Sequence, residues 1–190
     1  MPSLMLHLLI GERYYKKHKI SNKDAFLKGC FAPDIIGSKP QTHFSNIIDF
    51  KTYTEALKSK VDLTKFKMSD WDLNNDYQKG EFLHIIIDYY FYANYLIHAD
   101  GYQKYYDKDF GEVKDAIYQE YDILGYYIMS KYPKLNYNLL PESGKTIKKG
   151  KMKIFSRKGI SKFVKFCEKL DLNQLYTNLK TRESLPDANF

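Results

Sequence analysis

Apolar residues recur along this chain with the spacing of α-helices, and polar breaks that contain proline or glycine separate the apolar stretches. The clearest stripe lies between residues 111 and 131 and consists of Val113, Ala116, Ile117, Tyr121, Leu124 and Ile128. These positions are mostly three or four residues apart, which places them on one face of a helix. Because no stretch shows a sustained alternation of apolar and polar residues, we predict an all-α protein, a single-domain multi-helix bundle.

Capping residues and helix breakers set the expected boundaries of these helices. We predict helices over about residues 4–15, 22–31, 50–58, 75–98, 111–131, 160–170 and 172–179. Ser3 can cap the first and Ser21 or Asn22 the second, because short polar side chains accept hydrogen bonds from helix N–H groups. Prolines and a glycine mark a loop over residues 32–42, and residues 62–75 are polar and irregular by pattern.

The composition changes after residue 133, where proline, glycine and lysine become frequent. A chain of 190 residues fits one domain or one domain with an appended tail. We therefore predict a helical metal-binding core over residues 1–133 and a basic C-terminal extension of the same domain over residues 134–190. Within that extension, residues 152–155 read as a short strand.

Composition and charge exclude some classes of protein. The hydrophobic fraction of 44% excludes a disordered chain, and two cysteines, Cys30 and Cys167, are too few for a disulfide scaffold. No apolar run approaches the roughly 20 residues needed to span a bilayer, and positive charge follows the apolar N-terminal run instead of preceding it. We therefore expect a cytoplasmic protein. Its net charge of +7 permits attraction to nucleic acid, anionic lipid or phosphorylated substrates.

Two polar residues interrupt the most apolar segment of the chain, residues 82–91, which is hydrophobic almost all round and so is typical of a buried helix. His84 and Asp88 stand four residues apart, on one face of that helix. A buried carboxylate normally pairs, protonates or binds a metal ion. A hydrogen bond between this histidine and this aspartate inside the core is the alternative interpretation.

Three further residues favour a metal site over an isolated pair. His7 interrupts the apolar run 4–10, Asp34 follows a proline, and His43 stands nine residues later. Histidine and aspartate ligands suit zinc, with iron, manganese or nickel still open. We expect His98 to lie apart, because it is ten residues beyond Asp88 and thus about 15 Å along the helix. His18, among lysines, reads as a surface residue.

The ordered motifs around these residues resemble the zinc-dependent phospholipase C family, whose superfamily also contains single-strand nucleases. The resemblance covers roughly residues 1–130 and consists of MPSL leading to His7, GCFAPD ending at Asp34, THF around His43, GEFLHIIID around His84 and Asp88, and EYDILG at residues 120–125. The resemblance implies an all-α bundle that binds metal between its helices and hydrolyses phosphate esters.

Residue roles also follow from the resemblance. It implies that Asp34, His43, His84 and Asp88 hold one metal ion, and that Asp88 bridges to a second ion, which His7 also binds. Removal of Met1 would leave an amino group that could complete the second site. The ligand set is reduced, since Asn94 replaces a histidine of the family and no histidine follows His98. Asp122 is a candidate for orienting a ligand histidine.

Two functions are open on these grounds. The first is a zinc-dependent phosphoester hydrolase with one or two ions, in which Asp34 orients the attacking water and the substrate is a phospholipid headgroup or nucleic acid. The second is a non-catalytic, metal-stabilised helical interaction protein. A basic segment without acidic residues is a candidate surface for anionic partners, and it holds Lys145, Lys148, Lys149, Lys151, Lys153, Arg157, Lys158, Lys162 and Lys165.

Overall fold

The architecture is helical throughout the part of the chain that the computed structural model describes, residues 3–36, 42, 43, 61, 63, 71–106, 108–145, 147–181 and 183–188. The α-helices are α1 (Leu4–Tyr15), α2 (Lys23–Gly29), α3 (Ala32–Ile35), α4 (Asp76–Tyr90), α5 (Phe110–Lys131), α6 (Arg157–Cys167) and α7 (Leu172–Lys180). A π-helix, Phe91–Leu96, continues α4, and three short 3₁₀ turns follow later in the chain. No strand occurs in these described ranges, which confirms the all-α prediction.

Most of these helices begin at the type of capping residue that the sequence predicted. The Ser3 hydroxyl accepts a hydrogen bond from the Met5 N–H at 3.2 Å. The Asn22 side chain accepts one from the Ala25 N–H at 3.1 Å, so Asn22, rather than Ser21, caps α2. Asparagine, aspartate or serine side chains cap α4, α5, α6 and α7 in the same way. Local side-chain chemistry thus sets where the helices start.

The predicted helix over residues 75–98 differs from the observed one. Its α-helical part ends at Tyr90, and residues 91–96 form a π-helix. A π turn holds more residues than an α turn, which shifts the side chains that follow onto a different face. Phe91 and Tyr95 lie against Phe163 of α6, with ring centroids 5.4 and 5.1 Å apart. The apolar period of the sequence, which fits one continuous α-helix, does not reveal this shift.

The predicted strand at residues 152–155 is wrong. The backbone N–H groups of Lys153, Ile154 and Phe155 all donate to one carboxylate oxygen of Glu120, at 2.6, 2.8 and 3.0 Å. Glu120 belongs to α5 and is 3% exposed, so a buried charge takes the donors that a neighbouring strand would have used. This contact attaches the segment after α5 to the bundle.

Two smaller predictions also need correction. Residues 32–35, expected in a loop, form the helical turn α3, with Pro33 in its first turn where a missing N–H costs nothing. His18, expected to be solvated, is half-buried, since its ring stacks on Tyr14 with centroids 3.8 Å apart and its Nε2 lies 3.1 Å from the Glu168 carbonyl oxygen. The predicted helix over residues 50–58 lies outside the described residues.

One hydrophobic core runs through the described structure, and α4 lies at its centre. The side chains of α4 from Phe82 to Ile87 are essentially unexposed, as the sequence predicted for a helix that is apolar all round. Residues of the C-terminal segment join the same core, among them Ile154, Phe155 and Phe163. Cys30 and Cys167 are free thiols inside this core. None of the helices in the described ranges is long and apolar enough to cross a membrane.

The backbones of α2 and α4 touch where two glycines meet. A Cβ on Gly29 would lie 3.0 Å from the Gly80 Cα, and a Cβ on Gly80 would overlap the Phe26 carbonyl oxygen. Helix backbones approach this closely only when both helices lack a side chain at the crossing point. Because His84 follows Gly80 by one helical turn and Cys30 follows Gly29 directly, the crossing fixes the spacing of the segments around His84.

Replacing Gly80 by alanine should therefore destabilise the protein. The new methyl group has to separate α2 from α4, and such overpacking typically costs about 1–3 kcal/mol of unfolding free energy. Gly111→Ala is the control, because a Cβ there meets only the Asp109 side chain at 3.4 Å and the helix gains propensity. Chemical denaturation checks the pair, and equal stability of the two variants would contradict the close crossing.

The Glu120 contact gives a second prediction for the fold. Glu120→Gln keeps an acceptor oxygen but removes the charge that three N–H groups share, so we expect a loss of about 1–3 kcal/mol. Glu112→Gln on the same helix should change stability by less than about 0.5 kcal/mol, because Glu112 is exposed and lies 4.0 Å from its Lys108 partner. Thermal melts followed by circular dichroism distinguish the two variants, and equal losses would assign no special role to Glu120.

Candidate metal centre

Five polar side chains meet inside the bundle, and they are the five residues that the sequence singled out. His7 comes from α1, Asp34 from α3, His43 from the short described segment at residues 42 and 43, and His84 and Asp88 from α4. Their side chains are between 0% and 2% exposed. The structure thus brings together segments up to 81 residues apart in sequence around one buried point.

Four of these side chains offer donor atoms that can hold one metal ion. The ligand atoms of Asp34, His43, His84 and Asp88 all lie within 4.8 Å of one another. His43 Nε2 is 3.0 Å from Asp34 Oδ1 and 3.4 Å from Asp88 Oδ2. His84 Nε2 is 3.5 Å from Asp34 Oδ1 and 3.8 Å from Asp88 Oδ2. Two imidazole nitrogens and two carboxylate oxygens form a donor set that suits a four-coordinate divalent ion.

The backbone fixes which nitrogen of His84 faces the centre. His84 Nδ1 lies 2.8 Å from the Cys30 carbonyl oxygen, which can only accept a hydrogen bond, so Nδ1 carries a proton. The lone pair of a neutral His84 is then on Nε2, which points at the other donor atoms. Thr42 Oγ1 lies 2.8 Å from His43 Nδ1 and can orient that ring in the same way.

The charges in the centre call for a cation. Burial alone would raise the pKa of both carboxyls, but His84 first, together with His43 for Asp34 and His7 for Asp88, holds each pKa well below its usual range. Burial, followed by the neighbouring His84, lowers the pKa of His7 to about 4, so His7 is neutral at pH 7. Burial also disfavours the charged form of His84, yet Asp88 and Asp34 raise its pKa overall. Two buried anions therefore face a cationic centre, either a proton on His84 or a metal ion.

The two oxygens of Asp88 face different histidines. Oδ2 faces His43 and His84, whereas Oδ1 lies 3.1 Å from His7 Nε2 without the angles of a hydrogen bond. Within the described ranges, neither Asp88 oxygen and neither ring nitrogen of His7 has a hydrogen-bond partner. Buried polar atoms in that state are costly, and a coordinated ion would satisfy them. The donor set and these atoms together fit a bound divalent cation.

Three other residues considered from the sequence lie elsewhere. His98 is exposed and lines a cleft with Lys153 and Ser156, as expected from the rise of the helix. Asn94 lines that cleft as well. Asp122 is partly buried on α5, and its backbone carbonyl accepts a hydrogen bond from the Lys148 N–H at 3.1 Å. The grouping of potential metal ligands found in the described part of the chain does not include Asp122.

Sequence reasoning missed three features around the centre. The Cys30 carbonyl orients His84, although nothing about a cysteine signals the role of its backbone oxygen. The ring of His7 stacks on that of His84 with centroids 3.9 Å apart and planes 12° apart, which only the packing of α1 on α4 reveals. Tyr118 of α5 lies close enough for the Asp34 charge to add to the effect of burial in raising its pKa.

Metal content should depend on Asp88 and not on His98. Purified protein should carry about one to two equivalents of transition metal, and Asp88→Asn should lose most of it, because the amide removes a charge from a buried ligand set. His98→Ala should keep the wild-type content. Elemental analysis by mass spectrometry provides the measurement. Wild-type protein that holds no metal and melts at the same temperature with and without added zinc would contradict the metal centre.

No protein-family model, curated protein or solved structure matches this chain. The resemblance of its motifs to the zinc-dependent phospholipase C family therefore stays a prediction. What the structure adds is the convergence of His7, Asp34, His43, His84 and Asp88 on one buried point, where a cluster of donors can hold a metal ion.

Proposed function

We propose that this protein is a zinc-dependent phosphoester hydrolase of the kind that its motifs resemble. One observation carries the proposal, namely that Asp88 presents one oxygen to His43 and His84 and the other to His7. A carboxylate between two sets of nitrogen donors is suited to bridging two ions. Two-metal centres of this kind are typical of enzymes that cleave phosphate esters.

The donor atoms divide into two groups around that carboxylate. Asp34 Oδ1, His43 Nε2, His84 Nε2 and Asp88 Oδ2 form the complete group, while His7 Nε2 and Asp88 Oδ1 form a sparse one. We assign zinc to the complete group because of its mixed nitrogen and oxygen donors, and a second ion to the sparse group. The sparse group leaves coordination positions for water and substrate, which a catalytic site requires.

The protein's residues have distinct tasks in this proposal. A bound divalent ion supplies Lewis acidity, which activates water and polarises a phosphoryl oxygen. Asp34 has a buried carboxylate that is held ionised, so it can bind the ion and orient the attacking water. The Cys30 carbonyl keeps the proton of His84 on Nδ1, away from the centre. The ligand side chains are themselves at most 2% exposed, so bulk water is kept from the centre.

A non-catalytic role is the second candidate, and the burial of the centre favours it. The side chains that form the complete group are at most 2% exposed, as in structural zinc sites, which are closed by four protein ligands. In that case the ion would join α3 and α4 with the segment that carries His43, and His7 would only pack on His84. The two candidates differ in whether His7 binds an ion.

Variants of His7 and Asp34 distinguish the candidates. We expect zinc-loaded wild-type protein to hydrolyse bis-p-nitrophenyl phosphate slowly and to lose that activity with a chelator. His7→Ala should lower both metal stoichiometry and turnover, and Asp34→Asn should lower turnover by about 100-fold or more, because ligand losses exceed the effect of outer residues. His98→Ala is the matched control and should retain wild-type turnover.

Two outcomes would reject the hydrolase. The first is a wild-type turnover equal to the buffer rate with zinc, manganese and iron. This result would exclude the enzymatic function and leave the metal-stabilised interaction protein as the remaining candidate. The second is a His7→Ala variant with the metal content of wild type, together with no measurable turnover by either protein. This result would indicate a single, closed structural metal site. Retained activity in Asp34→Asn would instead show that Asp34 does not take part in the reaction.

A further inference from the structure

A basic groove of about 750 Å³ runs between the C-terminal part of α5 and the helix α6. Its charged lining is entirely positive and consists of Lys131, Arg157, Lys158, Lys162 and Lys165. Ser130 and Ser161 add hydroxyl groups to the same walls. Cations and hydroxyls are the side chains that contact phosphate oxygens in protein–nucleic acid interfaces. The groove thus offers chemistry for phosphates and none for cationic ligands.

The groove extends beyond these residues. A second groove of about 470 Å³ shares Tyr127, Ser130 and Arg157 with the first and is also lined by Lys151. Along α6, Arg157, Ser161 and Lys165 are spaced by four residues and follow one face for about 12 Å. An elongated path of positive charge suits a chain of phosphates better than a single small anion.

The aromatic side chain in the groove, Tyr127, interacts with two of the cations. Arg157 Cζ lies 5.4 Å from the centroid of its ring, and Lys131 Nζ lies 5.3 Å from that centroid, at the hydroxyl end of the ring. Lys131 also donates a hydrogen bond to the Tyr127 hydroxyl at 2.9 Å. These contacts position the positive charges around the groove, where they can bind phosphate groups. Binding should therefore show little preference for base sequence.

A membrane surface fits this groove less well. Lipid-binding basic surfaces usually combine cations with exposed apolar side chains that enter the bilayer. The exposed large hydrophobic residues of the described structure are Ile35, Ile36, Tyr106 and Tyr118, and none of them lines the groove.

We propose that this groove binds the sugar-phosphate backbone of single-stranded nucleic acid, independently of the metal centre. Four of the cations that line it belong to α6, within the basic segment of residues 145–165 that the sequence outlines, and Lys131 of α5 adds a cation from a second helix. Lys131 of α5 belongs to the groove, whereas Lys148 and Lys149 are exposed but do not line it. Affinity arises from charge and is sequence-independent.

The test compares two triple variants that remove the same charge. The groove variant carries Arg157→Gln, Lys162→Gln and Lys165→Gln. The control carries Lys148→Gln, Lys149→Gln and Lys169→Gln, which are exposed and lie outside the groove lining. Anisotropy of a labelled single-stranded oligonucleotide of mixed sequence gives the dissociation constant across a salt series, and circular dichroism verifies that each variant folds.

The groove variant should bind about tenfold or more weakly than wild type, and its salt dependence should flatten by about two units of slope, since each lost phosphate contact contributes about 0.7. The control should stay within about threefold of wild type. Should the groove variant fail to fold, Lys162→Gln and Lys165→Gln singly should each weaken binding by about threefold.

Four results would overturn the proposal. Equal losses of affinity in both triple variants would show that binding depends on net charge and not on the groove. Single variants that bind as tightly as wild type would show that Lys162 and Lys165 do not contact the nucleic acid. Wild-type protein that binds phosphatidylserine vesicles but not the oligonucleotide would assign the groove to a membrane. Loss of oligonucleotide binding in Asp88→Asn, or with a chelator, while circular dichroism shows a folded protein, would place the nucleic acid at the metal centre, whereas persistence of binding supports the groove even if hydrolysis is absent.

Discussion

The Asp88 carboxylate lies buried inside the most apolar helix of the protein, and its charge determines which side chains the neighbouring helices must bring to it. An ionised carboxyl removed from water costs several kcal/mol unless other groups stabilise it. Three histidines of the cluster stabilise this charge, with His84 on the same helix, His7 on α1 and His43 beyond α3, while Asp34 adds a second buried anion. The packing of α1, α3 and α4 therefore depends on the charge of the Asp88 carboxylate.

The charges of the cluster suit a divalent ion. Two carboxylates require two positive charges for neutrality, and burial keeps His7 neutral, whereas a proton on His84 would supply only one of these charges. A divalent ion supplies both charges at one point and needs no further proton. The other four residues are sufficient for a closed structural site. A catalytic role for the centre therefore depends on whether His7 also binds an ion.

Much of the fold and the site could be predicted from residue types, because their signals are local. Ser3 and Asn22 cap helices through their own side chains, and His84 and Asp88 stand out because they are polar in an apolar helix. The missed features are long-range backbone contacts. These features depend on which segments meet, and they are the Cys30 carbonyl, the N–H groups that Glu120 binds and the π-helix after Tyr90. Backbone atoms are the same in every residue, so the composition does not indicate where they make such contacts.

The contact between Gly29 and Gly80 makes the spacing of two helices a condition for ligand geometry. Cys30 orients His84 from the residue next to that contact, so any motion that parts α2 from α4 also frees the imidazole to rotate. Ion affinity and helix docking are then thermodynamically linked. At an ion concentration 1,000 times its dissociation constant, the linkage would stabilise the folded state by about 4 kcal/mol. Cellular supply of the ion would in that case set how long the protein survives proteolysis.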